Sequence, residues 1–302
     1  MLSSSASKAY PKSYVQVSSI TCSDGLGTNG GPQMAVGPTG ILYVARLGVI
    51  NIINPTTGVV TTAYSGLSIV GNSPIVVAPN GALIYNNGSV APAYVYAIGG
   101  PYSTETTLFK SSDYGNARPA MLAIDPTGTI IYCSNYGNAS IQAFAYSAGT
   151  WSLTGYYTST SPAYWTKLMA IAVDSKGTIW GMYPGIMYSQ FTTGADWATI
   201  IPISPAGVGG TSFQVNSMTT NSYEICMILI DADDGIIVCG SNTPTFANVG
   251  DVYKVSTSGA TTVLNTTGAL QNTYMSIAMD KRNKILYTLL SNGKIQTSVP
   301  QY

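Results

Sequence analysis

Histidine is absent from all 302 residues. That removes Ser-His-Asp and Cys-His catalysis, histidine-ligated metals and imidazole acid–base chemistry together. Charge is scarce as well: Lys, Arg, Asp and Glu make up 8% of the chain, where about 25% is usual. Twelve basic residues balance twelve acidic ones, so no electrostatic grip on nucleic acid or on an anionic membrane is expected. Phenylalanine is rare, 5 residues against 22 tyrosines, a preference for rings with a polar tip. No apolar run reaches the roughly 18 residues of a membrane-spanning helix, so no membrane insertion is expected. The first twenty residues lack the apolar stretch of a Sec-type signal. The four cysteines show no CxxC spacing, which excludes zinc and thioredoxin chemistry.

What is present is 45% apolar residues and a mean hydropathy of +0.20, enough to bury a sizeable core. The surface must then be built from Ser, Thr, Asn, Gln, Gly and Tyr rather than the mixed Lys and Glu of a usual cytosolic protein. Such a surface keeps its hydration when carboxylates protonate. It suits an extracellular or acidic setting, that of a thermoacidophile included. Without a signal, the route outward is a removed leader or assembly into a virus particle.

One pattern recurs along the chain. It reads Met34-Ala-Val-Gly-Pro-Thr-Gly-Ile-Leu-Tyr43, then Val76-Val-Ala-Pro-Asn-Gly-Ala-Leu-Ile-Tyr85, then Leu122-Ala-Ile-Asp-Pro-Thr-Gly-Thr-Ile-Ile-Tyr132. It returns at Ala170–Trp180, Ile228–Val238 and Ser276–Tyr287. Each copy is an apolar strand, a tight polar turn and a second apolar strand; Gly supplies the positive φ of the turn and Asp or Pro shapes its start. The turn positions Gly40, Gly81, Gly128, Gly177, Gly235 and Asn283 lie 41, 47, 49, 58 and 48 residues apart. A third strand follows in each unit, among them Val49–Ile53, Tyr94–Ile98, Ser140–Tyr146, Ile186–Phe191, Asp251–Val255 and Lys294–Ser298. A weaker fourth strand follows at Val59–Ala63, Trp151–Gly155 and Thr261–Leu264. Four antiparallel strands per fifty residues, repeated radially, make an all-β six-bladed β-propeller. The last unit ends before a fourth strand can form, and Ser13–Val17 has strand pattern without a unit. It is expected to close the ring as the outer strand of the final blade, covering an edge. Residues 1–302 then form a single domain, with 1–12 an extended arm. The long stretch between Trp197 and Glu224 leaves room for a count of five or seven.

At these residues the chain resembles the NHL and YVTN/lactonase-like propellers, above all at Asp125-Pro-Thr-Gly-Thr-Ile-Ile-Tyr-Cys-Ser-Asn135 and Gly137–Phe144. The resemblance covers nearly the whole repeat pattern and is specific for fold, while this superfold hosts enzymes, lectins, receptors and scaffolds. It implies that ligands bind at the mouth formed by loops entering the inner strands and loops joining second to third strands. Seven residues before Asp125, Asp174 and Asp231 stand Arg118, Lys167 and Glu224, three charges at one structural position and a candidate charged, solvent-filled funnel. The second-to-third loops supply Arg46, Asn86, Asn87, Asn135, Tyr136, Tyr183, Asn242 and Asn292. Amides and aromatic faces suit sugar recognition, although Asn-Gly pairs are equally ordinary turn residues. Gluconolactonase-like relatives hold a divalent metal in the funnel with acidic and Asn ligands. No cofactor is expected here; Glu224 is the one residue at which calcium is a candidate, with Glu105 and Asp113 in a connection farther out. The turn residues Asp125, Asp174, Asp231 and Asp280 are read as backbone caps rather than catalysts.

Cys226 and Cys239 flank the Asp231–Gly235 turn at near-equal distances, so a disulfide between them is conceivable beside the alternative of buried thiols. The expected function is a non-enzymatic exterior protein, a virion spike, tail or capsid-decorating propeller that recognises a receptor or surface glycan. Its partners would be other virion or surface proteins and a cell-surface glycan or receptor. The alternatives are a metal-dependent lactonase or related hydrolase using Glu224 with funnel Asn residues, lactonases that rely on funnel histidines having no counterpart here, and a secreted protein-interaction scaffold.

Overall fold

The computed structural model describes residues 13–22, 33–69, 73–87, 93–110, 119–135, 140–158, 170–183, 199–215, 225–241, 250–266, 274–290 and 292–302. Among them every regular element is a strand. The chain enters through β1 (Ser13–Thr21). Blade 1 is β2 (Gln33–Val36), β3 (Leu42–Arg46), β4 (Val49–Ile53) and β5 (Val60–Ser65). Blade 2 is β6 (Ile75–Val77), β7 (Leu83–Asn86), β8 (Tyr94–Gly99) and β9 (Tyr102–Lys110). Blade 3 is β10 (Pro119–Ile124), β11 (Ile130–Asn135), β12 (Ser140–Ser147) and β13 (Thr150–Thr158). Blade 4 is β14 (Ala170–Val173), β15 (Ile179–Tyr183), β16 (Thr199–Ile203) and β17 (Phe213–Gln214). Blade 5 is β18 (Ile225–Ile230), β19 (Ile236–Ser241), β20 (Gly250–Val255) and β21 (Thr261–Thr266). Blade 6 is β22 (Tyr274–Asp280), β23 (Ile285–Leu290) and β24 (Lys294–Gln301), completed by β1.

The first strands of the blades neighbour one another in a closed ring, so the architecture is a six-bladed β-propeller. Closure is as the sequence pattern anticipates: β1 pairs antiparallel with β24, from Ser13 opposite Gln301 to Thr21 opposite Lys294. In blade 4 the third strand is Thr199–Ile203 rather than Ile186–Phe191, and Phe213–Gln214 is the fourth. The uncertain stretch after Trp197 therefore holds the outer half of a blade. Ile186–Phe191 and the arm at 1–12 lie outside the described residues.

Burial explains why the strands are apolar on both sides. Side chains alternate along a strand, and each blade is sandwiched between two others. Ala170 and Ala172 pack toward blade 5, while Ile171 and Val173 pack toward blade 3. The core is correspondingly divided into six clusters, one in each gap between blades. Tyr14 of the closing strand joins the gap between blades 5 and 6.

Five of the six outer strands carry an extra residue in their pairing. Val17, Ala63, Leu108, Thr154 and Leu264 are each left without an opposite number on the third strand. Each is a β-bulge, which bends and twists an edge.

Candidate functional site

The topology puts the ends of the second strands and the starts of the first strands on one face, the mouth. Arg46, Asn86, Asn135 and Tyr183 end β3, β7, β11 and β15, Asn87 follows β7, and Asn292 lies between β23 and β24. These six candidates therefore share a face. Arg118, Tyr136, Lys167, Glu224 and Asn242 lie outside the described residues, as does Asp113.

The side chains at the mouth have structural partners. With the Asn51 amide oriented to satisfy its neighbours, the Arg46 guanidinium donates from Nε at 3.0 Å and Nη2 at 3.1 Å to the Asn51 oxygen, and the Asn51 amide donates to Thr62 Oγ1. Asn51 is buried, so Arg46 lies along the blade. Asn86 is fully buried. The Asn87 oxygen accepts the Tyr94 N–H at 2.8 Å, and the Asn292 oxygen accepts the Lys294 N–H at 3.1 Å. The amides expected to meet a sugar are thus, at these three positions, interior or loop-closing groups, and Asn292, bonded to the N–H two residues on, closes an Asx turn.

Deeper in, the axis is lined by methionine. Met121 sits in a bulge of β10, since Pro119 pairs Asn135 while Leu122 pairs Cys133. Its side chain packs against the clusters between blades 3 and 4, 4 and 5, and 5 and 6. A single side chain that reaches three gaps projects into the centre of the ring. Beside it, Ser276 Oγ accepts the Met34 N–H at 2.8 Å and donates to Met227 Sδ at 3.2 Å. One buried hydroxyl thereby ties the inner strands of blades 6, 1 and 5.

Glu105 lies on strand β9 rather than in a connection. Its Oε1 accepts the Ser68 N–H and the Tyr85 hydroxyl, each at 2.7 Å, and its Oε2 accepts the Ser68 hydroxyl at 2.9 Å. This carboxylate clamps blade 1 to blade 2. Tyr85 is buried, and burial followed by its hydrogen bond to Glu105 raises its pKa far above that of a free phenol.

The opposite face consists of tight turns. As expected, the recurring aspartates cap backbone. Asp125 accepts the Thr127, Thr129 and Ile130 N–H groups. Asp174 accepts those of Lys176 and Thr178, Asp231 those of Asp233 and Gly235, and Asp280 those of Arg282 and Asn283. The positive φ falls on Gly in blades 1 to 4 but on Asp234 and Lys284 in blades 5 and 6, not on Gly235 and Asn283. Gly235 answers a different need: a Cβ there would lie 2.6 Å from Asp231 Oδ2.

Bonds between turns link blades 4, 5 and 6. Ser175 donates its N–H at 2.9 Å and its hydroxyl at 2.5 Å to Asp234. Lys284 pairs with Asp233 at 3.1 Å and donates to the Tyr302 hydroxyl at 2.7 Å. Burial pushes the Asp234 carboxyl up, but the Ser175 bonds, Lys281 and Lys176 outweigh it and hold the pKa below its ordinary value. Burial lowers the pKa of the Lys281 ammonium, against the pull of Asp234, Asp231 and Asp174.

Cys22, Cys133 and Cys239 are buried thiols outside any disulfide. The Cys226–Cys239 bridge considered from sequence is therefore not formed. The reason is register: a bulge places Met227, not Cys226, opposite Cys239. Among the described residues no three Cys, Asp or Glu side chains form a metal-binding group.

No protein-family model and no curated protein sequence matches the chain. Solved structures do resemble it. A chain of the mitotic checkpoint complex is 12% identical with a TM-score of 0.59, the match covering 100% of this chain and 97% of that one. Virginiamycin B lyase from Staphylococcus aureus is 12% identical with a TM-score of 0.61, covering 94% and 99%. Hydrazine synthase of Kuenenia stuttgartiensis is 15% identical with a TM-score of 0.57, covering 91% and 76%. At such identities the likeness is one of fold, and the fold shared is the β-propeller.

Proposed function

We propose that this propeller is a non-enzymatic binding protein displayed outside the cell, on a virion or cell surface, where it recognises a receptor or surface glycan. The observation that carries the reading is the role of its scarce charge. The turn aspartates cap backbone and Glu105 joins two blades, so these carboxylates build the fold instead of meeting a substrate. The hydroxyl- and amide-rich surface and the missing histidine point the same way. Recognition is assigned to the mouth, with Asn135 at the end of β11 and the neighbouring Tyr136, outside the described residues, as the amide and aromatic candidates.

The test is binding of the purified protein to a glycan array and to host cells. Asn135→Ala and Tyr136→Ala are expected to abolish the signal while leaving the melting temperature unchanged. Lactone turnover dependent on added calcium, with no glycan or cell binding, would replace this reading with the hydrolase.

A further inference from the structure

We propose that the turn-bearing face, opposite the mouth, docks a partner protein through a segment that presents carboxylates between apolar side chains. The inference is independent of the glycan reading, since it concerns the other face and other residues.

Charge on this face is confined to one sector. The first turns of blades 4, 5 and 6 (residues 174–177, 231–235 and 280–284) carry two, three and four of the chain's 24 charged residues. The equivalent turns of blades 1, 2 and 3 carry only Asp125. Within the sector the two signs sit at different depths. Asp174, Asp231 and Asp280 are buried as caps, and Asp233 and Asp234 are half-buried beneath Lys284 and Ser175. Lys176 and Arg282 are exposed, while the Lys281 ammonium is drawn inward among Asp234, Asp231 and Asp174, where burial lowers its pKa. Fixing the anions inward leaves an outward surface that is cationic although the sector is nearly neutral by count.

Apolar groups flank these cations. The blade 1 turn abuts the blade 6 turn so closely that a Cβ on Gly40 would lie 3.1 Å from Asp280 Oδ2. Next to Gly40, Ile41 is 37% exposed. On the other side, a Cβ on Gly177 would lie 3.3 Å from Pro205, in the turn that presents Val208, 66% exposed. The surface therefore reads Ile41, then Arg282, then Lys176, then Val208. Capped turns hold it rigid, so little ordering entropy opposes binding. Carboxylates between apolar side chains complement it. A second copy does not: two-fold stacking would set exposed cations of one chain near those of the other, with no exposed aspartate or glutamate among the described residues of these three turns to answer them.

The probe is a fluorescein-labelled peptide of alternating acidic and apolar residues, added to the whole protein and followed by anisotropy and by hydrogen exchange. Binding with protection of residues 174–177 and 280–284 is expected. Lys176→Glu with Arg282→Glu should weaken it about tenfold or more, a loss of about 1.4 kcal/mol. Lys176→Gln with Arg282→Gln should weaken it less, and Ile41→Ser should weaken it separately. The Gln pair adds no like charge beside Asp234, so it remains informative if the Glu pair fails to fold. The proposal is overturned by no binding, by equal binding of the Asn/Gln analogue of the peptide, by equal competition from dextran sulfate, or by a dimer that the Gln pair dissociates. Glycan-array results leave each of these outcomes unchanged.

Discussion

Removing the Glu105 carboxylate should cost stability in a way that depends on what replaces it. Three donors converge on it, and two of them, Ser68 N–H and Tyr85 O–H, share Oε1. Glu105→Ala strips all three. The Ser68 groups are near enough to the surface to find water, but the Tyr85 residue is fully buried, and its hydroxyl would be left without an acceptor. An orphaned buried donor costs about 1–3 kcal/mol, and a lost bond to a charged group about 1.5–3 kcal/mol. With discount for the half-exposed carboxylate, Glu105→Ala should cost about 2–4 kcal/mol. Glu105→Gln is different. Its amide oxygen can keep both Oε1 donors, and its NH2 can donate to the Ser68 hydroxyl, which reverses from donor to acceptor. Only the charge is lost, so the cost should be about 1 kcal/mol.

Thermal and urea denaturation followed by circular dichroism would measure the difference. At roughly 2.1 cal/mol/K per residue, 302 residues give about 0.6 kcal/mol per degree. The alanine variant should therefore melt about 3–6 °C lower and the glutamine variant about 2 °C lower. Tyr85→Phe in the Glu105→Ala background should restore part of the loss by removing the orphaned hydroxyl, a coupling readable from a double-mutant cycle. Equal effects of Ala and Gln, or no rescue by Tyr85→Phe, would refute the clamp.

Three further outcomes are expected. Met121→Ala removes the side chain that projects into the centre of the ring, and a core methionine truncation costs about 2–5 kcal/mol; because Met121 is half-buried, about 2 kcal/mol in urea unfolding is anticipated, and a neutral result would mean the centre is not packed there. Asp234, held below its ordinary pKa of 3.8, contributes stability that is present above 3.8 and lost as pH falls through its lowered folded value. Ser175→Ala should lower stability at neutral pH, and the gap to wild type should narrow in strong acid; a gap that widens there would reverse the assignment. A reducing agent should leave the melting temperature unchanged, because Cys239 is a thiol; a drop on reduction would reveal a disulfide.

The repeat was legible because burial on both faces of every blade forces the same apolar strands and the same turn chemistry to recur. Unit boundaries, the closing strand and the Asp caps followed directly. Blade 4 misled because Ile186–Phe191 follows its turn at the spacing of the third strand in blade 1, nearer than Thr199–Ile203 does, and only pairing distinguishes them. The mouth was legible as a location, not as chemistry: an Asn that binds a sugar and an Asn that bonds the next N–H, as Asn292 does, look alike in one dimension. The Ser175–Asp234 and Glu105–Ser68 ties span 59 and 37 residues, and no local pattern announces them. Met121 reads as one more strand residue, since its path into the centre of the ring depends on a bulge.

Sheet edges pose a problem that this composition cannot solve in the usual manner. Outer strands expose rows of unpaired N–H and C=O groups, and proteins commonly guard them with lysine or proline. Here β1, β5, β13, β17 and β21 contain neither. Five outer strands instead carry a bulge, at Val17, Ala63, Leu108, Thr154 and Leu264, while β17 is only two residues long. Bulge twist and brevity spoil the flat register that a second strand would need. In β1, β5, β13, β17 and β21 the feature available to guard the edge is backbone geometry, whereas β9 combines its bulge with Lys110. If filling a bulge, for instance by deleting Thr154, produced edge-to-edge association visible in sedimentation while the blade stayed folded, the bulge would be established as the guard. A deletion that left the protein monomeric would place the protection elsewhere.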